Sequence, residues 1–226
     1  MHSILVIAAH PDDEVLGCGG TITKLTDEGK FVHVAFFADG VSSRDNKEAL
    51  KKIDLVKRRD AALRACNVLG VKSVSFDDLP DNRMDTIPLL DVIKMIETLL
   101  IKYKPDTILT HHAGDLNVDH QQLYQAVATA CRPQINQTVK TILSFEVPSS
   151  TEWQLPGYIP VFAPNFFVDI SSTLDRKLIA LQEYALEMRA WPHSRSIKAI
   201  QHLAHWRGAT VGVDAAEAFV LGRHII

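Results

Sequence analysis

The chain has 226 residues, 46% of them apolar and 23% charged, with a formal net charge of −3. This is the composition of a soluble globular protein with enough chain to bury a core without disulfides or structural metals. It excludes a globally basic field for nucleic acid, and no run approaches 18 uninterrupted apolar residues, which excludes a helical membrane span.

The chain opens on an apolar strand at 3–9. A helix at 13–30 follows, with Val15, Leu16, Gly19, Ile22 and Leu25 at helical spacing and Gly29 as its stop. Then come a strand at 31–39, a helix at 46–70 that ends at Gly70, and a strand at 71–78. The helix at 87–104 is amphipathic, because Asp91, Lys94 and Glu97 interrupt its apolar residues, and it stops before Pro105. A strand at 105–111, a helix at 118–132 and a strand at 140–147 complete the alternation. Such alternation predicts βαβ units in an α/β, Rossmann-like, mostly parallel sheet with helices on both faces. After Pro148 the pattern changes. Residues 148–170 are rich in prolines and aromatics without a long helix, and helices return at 173–188 and 193–212. Without repeats or a linker, 1–226 reads as one domain, in which 148–226 is a C-terminal elaboration supplying a lid and the substrate side.

Cys18, Cys66 and Cys131 are far apart and form no CxxC pair, which reads as reduced thiols. The N-terminus lacks the basic, apolar and small-residue regions of a signal peptide, so the expected location is the cytoplasm. Of ten histidines, His10, His111, His112, His120 and His193 lie in segments that look functional on other grounds.

Ligands of open parallel sheets bind beyond the carboxyl ends of the strands. The first strand ends in AHPDDE, which sets His10, Asp12, Asp13 and Glu14 together. A dinucleotide reading fails on spacing, since Gly17, Gly19 and Gly20 are followed by Ile22 and not by the last glycine of GxGxxG. It fails also on charge, since the acids would repel phosphate. Helix capping explains one or two of the acids but not a histidine with three. A cation suits the cluster. The fourth strand runs into THHAGDLNVDHQ (110–121), with His111, His112, His120, Asp115 and Asp119. Its plain reading is a polar loop with Asp119 as helix cap. With the first cluster, it makes the imidazole-plus-carboxylate pattern of a catalytic zinc site, provided the two strands are neighbours.

AHPDDE followed about a hundred residues later by GDLNVDH resembles the PIG-L/LmbE-like zinc-dependent N-deacetylases. FADG (37–40), RRDAALRACNVLG (58–70), LPDNRMD (79–85) and AEAF (216–219) are similar to that family as well. The resemblance implies His10, Asp13 and His120 as zinc ligands and Asp12 as general base. It also implies a Rossmann-like fold and N-acetylated amino sugars or their conjugates as substrates. The chemistry is coherent: two imidazoles and a carboxylate leave a zinc position for water, zinc acidifies that water and polarises an amide carbonyl, and Asp12 moves the proton. The same donors suit Fe2+ or Co2+.

Many members carry a histidine where this chain has Asn117. Candidates to stabilise the oxyanion are therefore Asn117, His112, His193 and Tyr158. Asp115 and Asp119 are candidates to orient a ligand histidine, with turn capping as the alternative. On the substrate side, Arg44, Arg58, Arg83 and Asp85 suit sugar hydroxyls or a diphosphate, against the alternative of solvated surface charge. Arg58 matches a substrate-side arginine of some members, but the acid usual three residues on is Ala61. RAWPHSRS (189–196) reads as a lid carrying His193 and Arg195, or as a helix start capped by Ser194. Trp153, Tyr158, Phe162, Phe166 and Phe167 suit core packing or an oligomer contact before a platform for a sugar or nucleobase ring, so a homo-oligomer stays open.

The expected activity is removal of the acetyl group from an N-acetylated amino sugar, nucleotide-linked or a glycoside precursor, by a metal-dependent hydrolase. The alternatives are a zinc amidase acting on a non-sugar amide and a non-catalytic metal-binding protein, for which Asp12 would have no use. No nucleic acid or membrane partner is expected.

Overall fold

The β-rich aliphatic run at the N-terminus forms β1 (Ser3–Ala8), the strand around which the sheet is organised. A computed structural model describes residues 1–43, 48–157 and 159–226. Among them the further strands are β2 (Phe31–Ala38), β3 (Ser73–Leu79), β4 (Thr107–His111), β5 (Thr141–Phe145), β6 (Phe166–Asp169) and β7 (Ala216–His224). The helices are α1 (Asp13–Asp27), α2 (Glu48–Val68), α3 (Leu89–Tyr103), α4 (Val118–Ala130), α5 (Leu174–Glu183) and α6 (Ile197–Ala209).

The strand order is β3-β2-β1-β4-β5-β7-β6. The pairs among β1 to β5 are parallel, and β7 runs antiparallel between β5 and β6. Chain direction across the sheet reverses between β1 and β4, which makes the space beyond their carboxyl ends the topological switch point. Side chains of β1 alternate between two cores. Ile4, Val6 and Ala8 pack with residues of α1, α2 and α5, and Leu5 and Ile7, with Ala9 just past the strand, pack with residues of α3 and α4. The fold class is therefore as the alternation predicts.

Two differences lie in the C-terminal part. Residues 216–224, expected only to carry a motif, form β7, an antiparallel strand that no crossover helix announces. Helix α6 begins at Ile197 with Ser196 as its cap, accepting from the Ala199 N–H at 3.1 Å, in place of Ser194.

The glycines after the first cluster have a packing reason. A Cβ on Gly17 would lie 2.3 Å from the Phe145 ring at the end of β5, and one on Gly20 would lie 2.8 Å from Ile170. Overpacking of this kind costs about 1–3 kcal/mol. Gly17→Ala is expected to lower Tm by roughly 4–8 °C for a cost near 2 kcal/mol, read by thermal denaturation. An unchanged Tm would mean that Phe145 yields freely.

Candidate metal centre and active site

Ile4, Leu5 and Val6 of β1 pair with Thr107, Ile108 and Leu109 of β4. The two polar clusters therefore leave the sheet side by side. From β1 the chain turns sharply into α1 through Asp12, whose φ of 120° and ψ of −29° fall in the left-handed region. That conformation costs a non-glycine residue about 1–3 kcal/mol and is maintained only by its surroundings. Here the His10 N–H donates to Asp13 Oδ2 (2.8 Å), the Asp12 N–H donates to Glu14 Oε2 (3.0 Å), and the Tyr184 hydroxyl donates to Glu14 Oε1 (2.6 Å). Burial pushes the Glu14 carboxyl up to about 8. Glu14 thus braces the turn, and the cation-facing acid of the motif is Asp13.

Asp13 meets two imidazoles. His10 Nδ1 and His120 Nε2 each lie 3.3 Å from Asp13 Oδ2, and 3.4 Å from each other. All three residues are buried. A tetrahedral ion with bonds of about 2.0–2.2 Å separates its ligand atoms by about 3.3–3.6 Å. The donor triangle has the edge lengths of such a site, so the residues fit a divalent metal. Burial opposes ionisation of Asp13, but the neighbouring His120 and His10 outweigh it and hold the carboxyl well below the usual range.

The far side of each imidazole is also engaged. His10 Nε2 lies 3.0 Å from Asp119 Oδ2 and 3.0 Å from Asp81 Oδ1. His120 Nδ1 lies 3.1 Å from Asp115 Oδ1. Asp119 is fixed by the N–H groups of Asn82 (2.7 Å) and Met84 (2.9 Å), and Asp115 by the hydroxyls of Ser150 and Thr151. Carboxylates so placed orient a ligand imidazole and set its tautomer. The cap of α4 is Asn117, which accepts from the Asp119 N–H at 2.8 Å, so Asp119 is free of the capping role expected of it.

Asp12 stands beside the triangle without belonging to it. Its Oδ2 accepts from Arg195 at 3.1 Å, Arg58 lies 3.9 Å from Oδ1, and Oδ1 has no hydrogen bond among the described residues. Burial pushes the Asp12 carboxyl up to about 6, with Arg195 and Arg58 pulling the other way. Arg58 is held in turn by the carbonyls of Gly40 (2.7 Å) and Pro11 (3.2 Å) and by Glu187 (3.3 Å). These groups open onto a polar cavity of about 230 Å³ whose wall includes His10, Asp12, His120, Arg58, Asn117 and Arg195.

Other candidates fall elsewhere. His112 does not line this cavity: its Nδ1 accepts from the Gly114 N–H at 3.0 Å and its ring meets Phe162 edge-on. His193 is also off the wall, turned toward Trp153, with Nδ1 accepting from the Arg195 N–H at 3.0 Å. Arg83 and Asp85 are exposed to solvent, and their neighbours Asp81 and Asn82 reach the cavity instead. The Asn82 backbone turns through a positive φ of 54° and, like that of buried Met84, is tied to Asp119, while Arg83 and Asp85 on either side of Met84 face solvent. Asn117 lines the cavity, but its side chain caps α4 and donates to Asn82 Oδ1 at 3.0 Å. Arg44 and Tyr158 lie outside the described residues.

His111 belongs to the second cluster, but its sequence context assigns it no role. It is fully buried at the end of β4, accepts from the Ala9 N–H at 2.9 Å, and stacks on His120 with centroids 3.8 Å apart. Burial lowers it to about 3, which keeps it a neutral acceptor. It ties the ends of β1 and β4 together beneath the triangle. Its sequence signals are its membership of the histidine-rich second cluster and its place as the last residue of a buried strand.

The model of the PIG-L family, described as GlcNAc-PI de-N-acetylase, matches residues 5–131. A diacetylchitobiose deacetylase of Thermococcus kodakarensis is 30% identical over 194 residues, covering 80% of this chain and 68% of the relative. A 4-oxalmesaconate hydratase of Pseudomonas putida is 28% identical over 214 residues, covering 84% and 76%. In fold, the chain is similar to the N,N′-diacetylchitobiose deacetylase of Pyrococcus horikoshii, solved with an inhibitor. The TM-score is 0.78 at 22% identity, with 97% of this chain and 83% of that one covered. Deacetylase and hydratase share this architecture, so the reaction has to be argued from the site.

Proposed function

The chain belongs to the PIG-L family of GlcNAc-PI de-N-acetylases, and on that premise we propose that it hydrolyses the N-acetyl group of an acetylated amino sugar with a bound zinc ion. The observation that carries the reading is the buried triangle of His10 Nδ1, Asp13 Oδ2 and His120 Nε2 beside an independent carboxylate. Two neutral nitrogens and one carboxylate oxygen favour zinc over the harder cations. Zinc held there would supply Lewis acidity, acidifying a water and polarising the amide carbonyl.

The remaining work belongs to the chain. Asp12 Oδ1 takes the proton that water gives up as its oxygen bonds to the amide carbon. The same carboxyl then protonates the amine nitrogen as the C–N bond breaks, so amide and water leave as acetate and free amine. Arg195 grips Oδ2 and leaves Oδ1 as the oxygen without a hydrogen bond among the described residues. Asn117, Asn82 and Arg58 give the cavity donors and acceptors that suit sugar hydroxyls. His112 and His193 enter this scheme as packing and loop-holding residues, and Arg83 and Asp85 as surface charge. The three cysteines are buried and unpaired, which agrees with the reducing cytoplasm we assign to it.

The test is acetate release from N-acetylglucosamine, diacetylchitobiose, a nucleotide-linked N-acetylglucosamine and an N-acetyl amino acid, each with a matched free-amine assay. Equal yields of acetate and amine from a sugar are expected. Turnover of the N-acetyl amino acid alone would replace the sugar by a different amide, and turnover of none would sink the deacetylase reading.

A further inference from the structure

The glycine-rich stretch after the metal motif takes no part in the chemistry above, yet α1 breaks inside it. Cys18 has φ −147° and ψ 22°, outside the helical range. In an unbroken helix the Gly20 N–H would donate to Leu16 O, and the Thr21 N–H to Gly17 O. Here the Gly20 N–H donates to Glu217 Oε1 at 2.9 Å and the Thr21 N–H to Glu217 Oε2 at 2.7 Å. Leu16 O instead accepts from Lys177 Nζ at 2.9 Å. Lys177 Nζ and Glu217 Oε1 are 2.5 Å apart, and both residues are buried. An ion pair from α5 and β7 is thus spliced into one rung of the α1 ladder, each partner satisfying one of the groups that the rung would have joined. Insertion of a side chain into the ladder is a direct cause of a sharp kink. Gly19 leaves room for it: a Cβ there would stand 3.3 Å from Lys177 Cγ.

A buried ion pair is commonly replaceable by apolar residues without loss of stability. Stability alone therefore gives little reason for this one. We propose that the Lys177–Glu217 pair is a positioning device for the metal centre. By holding the break open, it sets the direction of residues 13–17 independently of the rest of α1. That direction aims Asp13 and the strained Asp12 turn at His10 and His120. The effect on turnover rests on the deacetylase reading, whereas the effect on metal binding does not.

The experiment compares wild type, the double variant Lys177→Met/Glu217→Met, and Leu100→Ala in α3 as a destabilised control on the other face of the sheet. Zinc affinity is measured by calorimetry, and kcat and KM at saturating zinc. A misplacement of about 1 Å can cost about 100-fold, and a smaller shift correspondingly less, about tenfold. The double variant is accordingly expected to bind zinc about tenfold more weakly and to lose about tenfold in kcat, with KM within about twofold. Leu100→Ala should keep wild-type affinity and kcat whatever its Tm. Lys177→Arg, which keeps the charge and the donors, should stay near wild type. Wild-type affinity and kcat in the double variant overturn the proposal, as does an equal loss in Leu100→Ala. If the double variant does not fold, Glu217→Gln takes its place: the same two losses at smaller size support the proposal, and wild-type values overturn it. If wild type binds zinc but releases no acetate from any substrate, the deacetylase reading falls and the affinity comparison alone decides. A wild type that binds no zinc overturns both.

Discussion

Asp12→Asn is expected to lower kcat by about 10²–10⁴-fold while zinc affinity and Tm stay near wild type. The substitution is close to isosteric. The amide oxygen can still accept from Arg195, which holds Oδ2 at 3.1 Å in the native side chain. What disappears is the ionisable oxygen Oδ1, which has no hydrogen bond among the described residues and is the one left to receive a proton. Asp12 is not a corner of the ligand triangle, so the metal site should persist. Arg58 keeps the Gly40 and Pro11 carbonyls and Glu187 as partners when the Asp12 charge is removed, which limits the cost to stability. Single-turnover acetate release, run beside zinc calorimetry, reads both halves. A kcat within tenfold of wild type would show that another group moves the proton. Loss of zinc together with activity would show that Asp12 supports the metal site itself.

The contrast between Asp12 and its neighbours indicates which features a sequence displays. Strand–helix alternation follows from local apolar periodicity, and it placed both polar clusters at the carboxyl end of what are adjacent strands, β1 and β4. Two short contiguous motifs carry His10, Asp13 and His120, which the structure brings together. The direction of a loop side chain is another matter. His111 and His112 are adjacent in a histidine-rich segment, yet one stacks on His120 and the other turns to Phe162. Nothing local separates them; the alternation of β4 and the tie from Ala9 do. Asp119 and Asn117 compete for the same capping signal, and Asn117 takes it because the Asn82 and Met84 N–H groups, far away in the chain, hold Asp119 toward His10. Glu217 is the extreme case. Its partners are the amides of Gly20 and Thr21, and only the packing of β7 in the sheet brings them together. Local pattern specifies which groups are present; long-range registration specifies what each one touches.

His120→Ala is expected to abolish measurable zinc binding near neutral pH and to lower activity by more than about 10³-fold, since one of three ligands is lost. A graded series makes the result specific. Asp115→Asn and Asp119→Asn, which leave the three ligands in place and disturb the far side of a ligand imidazole, should weaken zinc binding by about 10–100-fold. Wild type should lose activity with a chelator and regain it with zinc. Its fold should survive that treatment, because the apoprotein has a substitute for the cation. Burial disfavours a charged His120, but Asp13 and Asp115 outweigh it and hold the imidazole up to about 9. The proton thus balances the buried carboxylates when the ion is gone, and zinc has to displace it on binding. Ligand linkage sets the size of the thermal effect: at a zinc concentration about 100 times Kd, the ion adds about 2.7 kcal/mol to the native state. For a chain of this length, chelation should then lower the wild-type Tm by roughly 5–11 °C. The same chelator should not move the Tm of His120→Ala. A wild-type Tm and kcat both indifferent to chelation would remove metal from the reaction, and the triangle would then be a buried His–Asp ion-pair network that orders the switch point without taking part in chemistry.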